Sequence, residues 1–388
     1  MSGRVLILTA GFGEGHNAAA RSLAAAFDAR QGPGAARVAD VFALAGPRGN
    51  ALARRSYLGL INRAPWLWRA AYGWMHRSAL LPGLLRSLRR ERHVLARLLA
   101  EEAPVAVCST YPVYAYLLQA LARERPLGVP CFSVVTDSIS INSVWWRAGA
   151  DGWFVPNDES AAVMREAGVD ERRLQVAGFP VPAFFAAHEN ELAPPDLAAG
   201  ANPRVLYIIN SRTPAAEDTA RLLLQETGWD VTCTVGRNRR LQRELEELAS
   251  SRSAGTRILG WTDEIPRLLM THHVVISKAG GATTQEALAA RCPMIVNQIV
   301  PGQEEGNYEL LRRHGIGALA LTPSAVKWEL QGAFAHGGRG WRHWRRALEP
   351  LARPRAAADI AAAVLAGSGS FATEEPIPLP HRAAAASA

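Results

Sequence analysis

The sequence predicts an α/β fold in which two doubly wound parallel sheets, each in its own domain, face one another across a cleft. Three observations predict it. Short apolar runs alternate with helix-length amphipathic stretches along most of the chain, the pattern of parallel sheets covered by helices. That rhythm stops between Ala183 and Pro203, which is rich in Pro, Gly and Ala, and then restarts. Each half carries a Gly-rich loop directly after an apolar run, TAGFGEGH at Thr9–His16 and KAGGATT at Lys278–Thr284. At 388 residues the chain is long enough for two domains with separate cores.

The first half reads as strand Arg4–Ala10, helix His16–Arg30, strand Arg37–Phe42 and a basic helical region. Strand Val105–Thr110, helix Tyr114–Arg123 and strands Cys131–Asp137 and Trp153–Asn157 follow, then helix Asp158–Gly168 and the run LQVAGFP. Within the basic region a helix from Leu84 sets Leu84, Leu88, Leu95 and Leu99 on one side, a stripe suited to packing on the sheet. The second half reads as strands Arg204–Asn210, Asp230–Gly236, Arg257–Trp261, Val274–Ser277 and Pro293–Asn297, with helices between them. The predicted boundaries are 1–182 for the first domain, 183–203 for the linker and 204–350 for the second domain. A terminal helix at 351–366 and a disordered tail of small residues and Pro at 367–388 complete the chain.

Composition narrows the class. Nearly half the residues are hydrophobic, which suits a globular protein. The four cysteines are scattered without a C-x-x-C pair, so buried thiols in a reducing compartment are expected and no zinc site is. The opening run VLILTA reads as a first strand rather than a signal peptide, and no segment is apolar for long enough to span a membrane. Charge is unevenly placed. Of 43 basic and 35 acidic residues, eleven Arg and the single acid Glu91 lie between Arg48 and Ala100, and the remainder is close to balanced.

A Gly turn between a strand and a helix N-terminus is a ready anion site, because free N–H groups and the helix dipole converge there. The stretch Val274–Asn307 therefore reads as a nucleotide-sugar site. Gly280 and Gly281 form its turn, a helix opens at Thr283 and Thr284, and Glu286 falls in the first turn, within reach of a ribose. Lys278, Gln303, Glu304 and Glu305 flank the same pocket. In the first loop, Gly11, Gly13 and Gly15 allow close backbone approach, and His16 stands at the helix start. It is either a helix cap or a general base. The loop departs from the dinucleotide pattern G-x-G-x-x-G, although Asp40 supplies the acid such a site uses. No D-x-D announces a metal-held nucleotide. Trp66, Trp68 and Trp74 interleave with Arg63, Arg69 and Arg77, a mixture suited to the headgroup level of an anionic membrane. Trp341 and Trp344 offer a second anchor, and no nucleic-acid module accompanies these basic residues.

The motifs TAGFGEGH, VVTDSISINSVWW, VAGFPV, ILGW, ISKAGGATTQEAL and PGQEEGN occur in one fixed order between Arg4 and Arg313. In this the chain resembles the monogalactosyldiacylglycerol synthases and processive diacylglycerol glucosyltransferases. It is more distantly similar to the GlcNAc transferase that completes the lipid-linked peptidoglycan precursor. The resemblance implies a glycosyltransferase of the B type with two Rossmann-like domains, inverting and without catalytic metal or other cofactor. A UDP-hexose would be the co-substrate and diacylglycerol the acceptor, with the enzyme peripheral on the cytoplasmic face of the plasma membrane. His16 then matches the general base, while Asp137, counted with it as catalytic, and Trp145 match the loop facing the acceptor. Glu286 matches the ribose ligand, Gly280, Gly281, Thr283, Thr284 and Lys278 the diphosphate turn, Gln303 and Glu304 the sugar readers, and Gly260 and Trp261 the uracil loop. Where relatives often have a Gly-rich loop after the first strand of the second domain, this chain has Asn210, Ser211, Arg212, Thr213 and Pro214. Ser211 and Arg212 are candidates to replace those backbone contacts. Transfer to another lipid acceptor, a non-catalytic nucleotide-sugar or lipid binder, and a UDP-sugar epimerase are the alternatives.

Overall fold

The structure is a computed structural model describing residues 3–210, 214–250, 255–302 and 304–370. The first domain begins β1 (Val5–Leu8), α1 (Glu14–Gln31), β2 (Ala36–Ala39) and α2 (Val41–Ala45). A helical excursion follows, α3 (Pro47–Arg63), α4 (Pro65–Arg77), α5 (Leu81–Arg86) and α6 (Arg89–Glu102). The sheet resumes with β3 (Ala106–Ser109), α7 (Val113–Glu124), β4 (Cys131–Val134), β5 (Gly152–Val155), α8 (Asp158–Glu166) and β6 (Leu174–Val176). Between the domains lies a short helix, α9 (Phe184–Ala187), inside the stretch expected to be plain linker.

The second domain runs β7 (Arg204–Ile208), α10 (Pro214–Gln225), β8 (Asp230–Thr234), α11 (Arg239–Ala249), β9 (Thr256–Leu259) and α12 (Ile265–Thr271). It continues with β10 (Val274–Lys278), α13 (Gly281–Ala289), β11 (Met294–Gln298), α14 (Glu305–Arg313) and β12 (Ala318–Leu319). Then come α15 (Pro323–Leu348), interrupted at Ala335–Gly338, and α16 (Ala356–Ser370). The last helix passes the position where the tail was expected to begin, and residues 371–388 lie outside the described residues.

Both sheets are parallel, in the orders β2-β1-β3-β4-β5-β6 and β12-β11-β10-β7-β8-β9. The strand order reverses beside β1 in the first sheet and beside β7 in the second. Ligands of such sheets bind at the carboxyl ends of the strands beside that reversal. These are the ends from which the Thr9–His16 loop and the Gly280 turn emerge. Strand β1, VLIL, is wholly buried, as a central parallel strand with helices on both faces requires. Each such Leu or Ile contributes about 1.5–3 kcal/mol of burial.

Helix α16 returns to the first domain. Its Ile360, Ala361 and Val364 complete a core with Val5, Ile7, Leu23 and Phe27. The two crossings between domains touch at Gly178, whose φ is +92° and where a Cβ would come within 2.6 Å of the Arg353 Cβ. The stripe from Leu84 to Leu99 is not one helix. It breaks at Ser87 and Leu88, leaving Leu84 exposed while Leu95 and Leu98 enter the core.

Candidate active site

Asp40 serves the backbone of the first loop. Its carboxylate caps α2 by accepting from the Ala43 N–H at 3.0 Å and pins the loop by accepting from the Gly11 N–H at 3.1 Å. The loop so held delivers His16 to the first turn of α1, where it is 7% exposed. Its Nδ1 lies 2.7 Å from the Thr110 carbonyl and 2.9 Å from the Thr136 hydroxyl. A carbonyl only accepts, so Nδ1 carries the proton and the Nε2 lone pair remains available. Gly13 leaves space on that side, since a Cβ there would stand 3.9 Å from Nε2. Burial holds the imidazole below its ordinary pKa against the opposite pull of Asp137. Burial also holds Asp137 above the usual carboxylate range, offset by His16 and by the Trp145 indole N–H, which donates to it at 2.8 Å. Trp145 itself is 1% exposed and braces Asp137 through that bond.

On the other side, Gly280 caps α13. A Cβ on Gly281 would stand 3.3 Å from the Thr136 carbonyl, and one on Gly15 would stand 3.8 Å from the Ala282 nitrogen. The N-termini of α1 and α13 therefore meet across the cleft. Thr136 lies between the halves, its hydroxyl on His16 and its carbonyl packed beside Gly281. Two positive helix ends beside a neutral imidazole can hold an anionic leaving group and accept a proton from a nearby hydroxyl.

Helix α13 starts at Gly281, two residues earlier than the sequence suggests, so Glu286 sits in its second turn. Burial pushes the Glu286 carboxyl up to about 7, with Arg21 of α1 pulling the other way. Thr283 stays at the turn partly exposed, whereas Thr284 is fully buried with its hydroxyl 3.8 Å from the Met294 sulfur. That side chain belongs to the core. Lys278 is ion-paired with Glu304, whose other oxygen accepts from the Val300 N–H at 3.0 Å. Each Glu304 oxygen thus has one partner and keeps a further lone pair.

Gly260 and Trp261 follow β9, and Trp261 is 69% exposed, an open face for a stacked base. Together with Gly236, Arg237, Arg239 and Gln242 they line a cleft of about 610 Å³. Those last four residues were not singled out from the sequence. Nor were Thr136, Ser138, which accepts from Gln285 Nε2 at 3.0 Å, or Ser140, which accepts from the Gly306 N–H at 2.9 Å. The one available signal was the dense polar run TDSIS directly after an apolar strand. Ser211, Arg212 and Gln303 lie outside the described residues.

On α3, α4 and the turn after them, Leu52, Leu58, Trp66, Leu67, Trp74 and Leu80 are exposed beside exposed Arg69 and Arg77. Trp68 instead turns inward and is only partly exposed. Arg69 reaches Glu305 of the second domain at 3.6 Å. Trp341 is no second anchor, because it is buried with its indole N–H donating to the His273 carbonyl at 2.7 Å. Among the described residues no helix is long and apolar enough to cross a membrane.

Solved structures share this architecture. Os79 from O. sativa in complex with UDP superposes with a TM-score of 0.62 at 14% identity, covering 95% of this chain and 100% of that one. The UDP-GlcNAc 2-epimerase from Neisseria meningitidis gives 0.56 at 11% identity, covering 94% and 100%. The fold is that of the B-type glycosyltransferases. Residues 16–181 match the family model described as monogalactosyldiacylglycerol (MGDG) synthase. Across both domains the chain resembles the processive diacylglycerol β-glucosyltransferase of Bacillus cytotoxicus, 27% identical over 368 residues and 93% of each chain. It likewise resembles the enzyme of that name from Bacillus cereus, 25% identical over 97% of each chain.

Proposed function

We propose that the protein transfers a hexose from a UDP-sugar to diacylglycerol with inversion, at a membrane surface and without a catalytic metal. The observation that carries this reading is the meeting of the α1 and α13 N-termini around His16 and Thr136. The diphosphate lies on the Gly280–Gly281 turn, with Lys278 beside it and Trp261 under the uracil. Glu286 takes the ribose hydroxyls. His16 Nε2 receives the acceptor hydroxyl proton as its oxygen attacks the anomeric carbon from the face opposite UDP. The departing charge passes to the helix ends and Lys278, which do the work a divalent cation would otherwise do. Lipid relatives over the whole chain favour a lipid acceptor, and the conjunction of His16 with a donor turn favours transfer over mere binding.

Incubating the protein with mixed UDP-sugars and diacylglycerol vesicles, then weighing the lipids by mass spectrometry, is expected to yield a hexosyl-diacylglycerol. The rate is expected to be unchanged by EDTA. Donor conversion without any lipid product would overturn the reading in favour of an epimerase or hydrolase, and EDTA-sensitive transfer would remove metal independence.

The exposed Trp and Leu residues of α3 and α4, with their arginines, suit docking from the cytoplasmic side on an anionic leaflet. Replacing Trp66 and Trp74 together by serine is expected to weaken flotation with anionic vesicles about tenfold or more. Turnover of a short-chain, soluble diacylglycerol should persist. Undiminished flotation would place the docking surface elsewhere.

A further inference from the structure

The cleft beside Trp261 is lined by the side chains of Arg237, Arg239, Gln242 and Trp261, with Gly236 and Gly260 adding none. Guanidinium and indole groups only donate hydrogen bonds. Among the described residues lining the cleft, Gln242 therefore brings the one side-chain acceptor, its Oε1.

The fold decides which way that amide points. Gln242 lies in the first turn of α11, and its Nε2 donates to Glu246 Oε1 at 2.9 Å, one turn further along the same helix. A carboxylate only accepts, so this bond fixes the nitrogen end and leaves Oε1 facing elsewhere. That oxygen borders the loop carrying Trp261, since a Cβ on Gly260 would stand 3.0 Å from it. It takes no hydrogen bond among the described residues and is not shut off from water, so a ligand in the cleft has access to it.

A uracil edge presents O2, N3–H and O4 in sequence, an acceptor, a donor and an acceptor. The arginines suit the two carbonyls, and the N3–H needs an acceptor between them. Cytosine carries a bare N3 at that place, so its lone pair would meet the lone pairs of Oε1. Turning the amide over to suit cytosine would set Oε1 against the Glu246 carboxylate.

Resting on the proposed UDP-sugar reading, we infer that Gln242 is the base-specificity residue, its Oε1 accepting from uracil N3–H above Trp261, and that Glu246 is the positioning residue that holds the amide in that sense. The pair makes the protein choose uridine over cytidine nucleotides without using any group that touches the sugar or the lipid.

The experiment titrates UDP and CDP by calorimetry into the wild type, Gln242→Ala and Glu246→Ala, and assays each protein for glycolipid. The wild type is expected to bind UDP about ten- to a hundredfold more tightly than CDP, the range for a polar group left facing the wrong partner. Gln242→Ala should bring the two nucleotides within about threefold by losing UDP affinity while CDP binding holds, a split that general damage to the fold would not produce. Glu246→Ala should narrow the ratio from the other side, with CDP binding more tightly as the amide turns over. A preference for UDP retained in Gln242→Ala would hand the N3–H to a backbone carbonyl and overturn the inference, as would equal loss on both nucleotides. An unchanged ratio in Glu246→Ala would remove its positioning role. A wild type that binds neither nucleotide would overturn the proposed function as well, whereas the expected ratios without any glycolipid would overturn that function and leave this inference standing.

Discussion

Replacing His16 by alanine is expected to lower kcat for lipid glycosylation by about two to four orders of magnitude, the usual contribution of a general base. The expectation rests on which nitrogen is free. Nδ1 is committed to the Thr110 carbonyl and the Thr136 hydroxyl, so loss of the ring removes the one lone pair aimed away from the protein's own acceptors. UDP affinity should change little, because the donor turn is built from α13 and not from this side chain. The pH profile gives a second test. On the proposed reading His16 works only when neutral, and burial lowers its pKa from the usual 6.5. Activity should therefore persist below the ordinary imidazole range and fall only on further acidification, with the acid limb absent from the residual rate of His16→Ala. Full turnover by that variant, with product and UDP release still coupled, would take the base role away from His16.

What could be read from the sequence follows from how local each determinant is. The run VLIL announces a central strand because burial on both faces demands continuous apolarity, and Gly280 and Gly281 announce a turn at the next helix. The exact start of that helix was not legible. It falls where Gly281 packs beside the Thr136 carbonyl of the other domain, more than a hundred residues away, and it puts Glu286 in the second turn rather than the first. Trp66 and Trp341 sit in similar Trp/Arg text, yet one is 72% exposed and the other is buried. The difference lies in the distant His273 carbonyl that receives the Trp341 N–H, a partner no local pattern names. The same holds for α16. Its apolar residues could be seen, but not that they close the core of the domain at the opposite end of the chain.

Glu286→Gln is expected to separate stability from donor binding, moving the two in opposite directions. In the ligand-free protein, burial raises this carboxyl to about 7, above its unfolded value of 4.5. A group raised in this way contributes stability that is fully present below the unfolded pKa and lost as pH rises through the folded one. Above pH 7 the charged Glu286 is therefore a burden, and the neutral isostere should raise the stability of the free protein by about 1 kcal/mol at pH 8, allowing for partial exposure. The gain should vanish below pH 4.5, where Glu286 is neutral in both the folded and the unfolded protein. Donor binding should respond the other way. On the proposed reading the ionised carboxylate accepts from ribose hydroxyls, and hydrogen bonds to a charged group are worth about 1.5–3 kcal/mol, so UDP affinity should drop about ten- to a hundredfold. Those same bonds favour the ionised form, so UDP binding to the wild type near pH 6 should release protons, measurable by calorimetry in buffers of different ionisation enthalpy. The variant should release fewer. Equal UDP affinity in the two proteins at pH 8 would remove Glu286 from the ribose, whereas an unchanged melting temperature across that pH range would show that the free carboxylate is not held out of water.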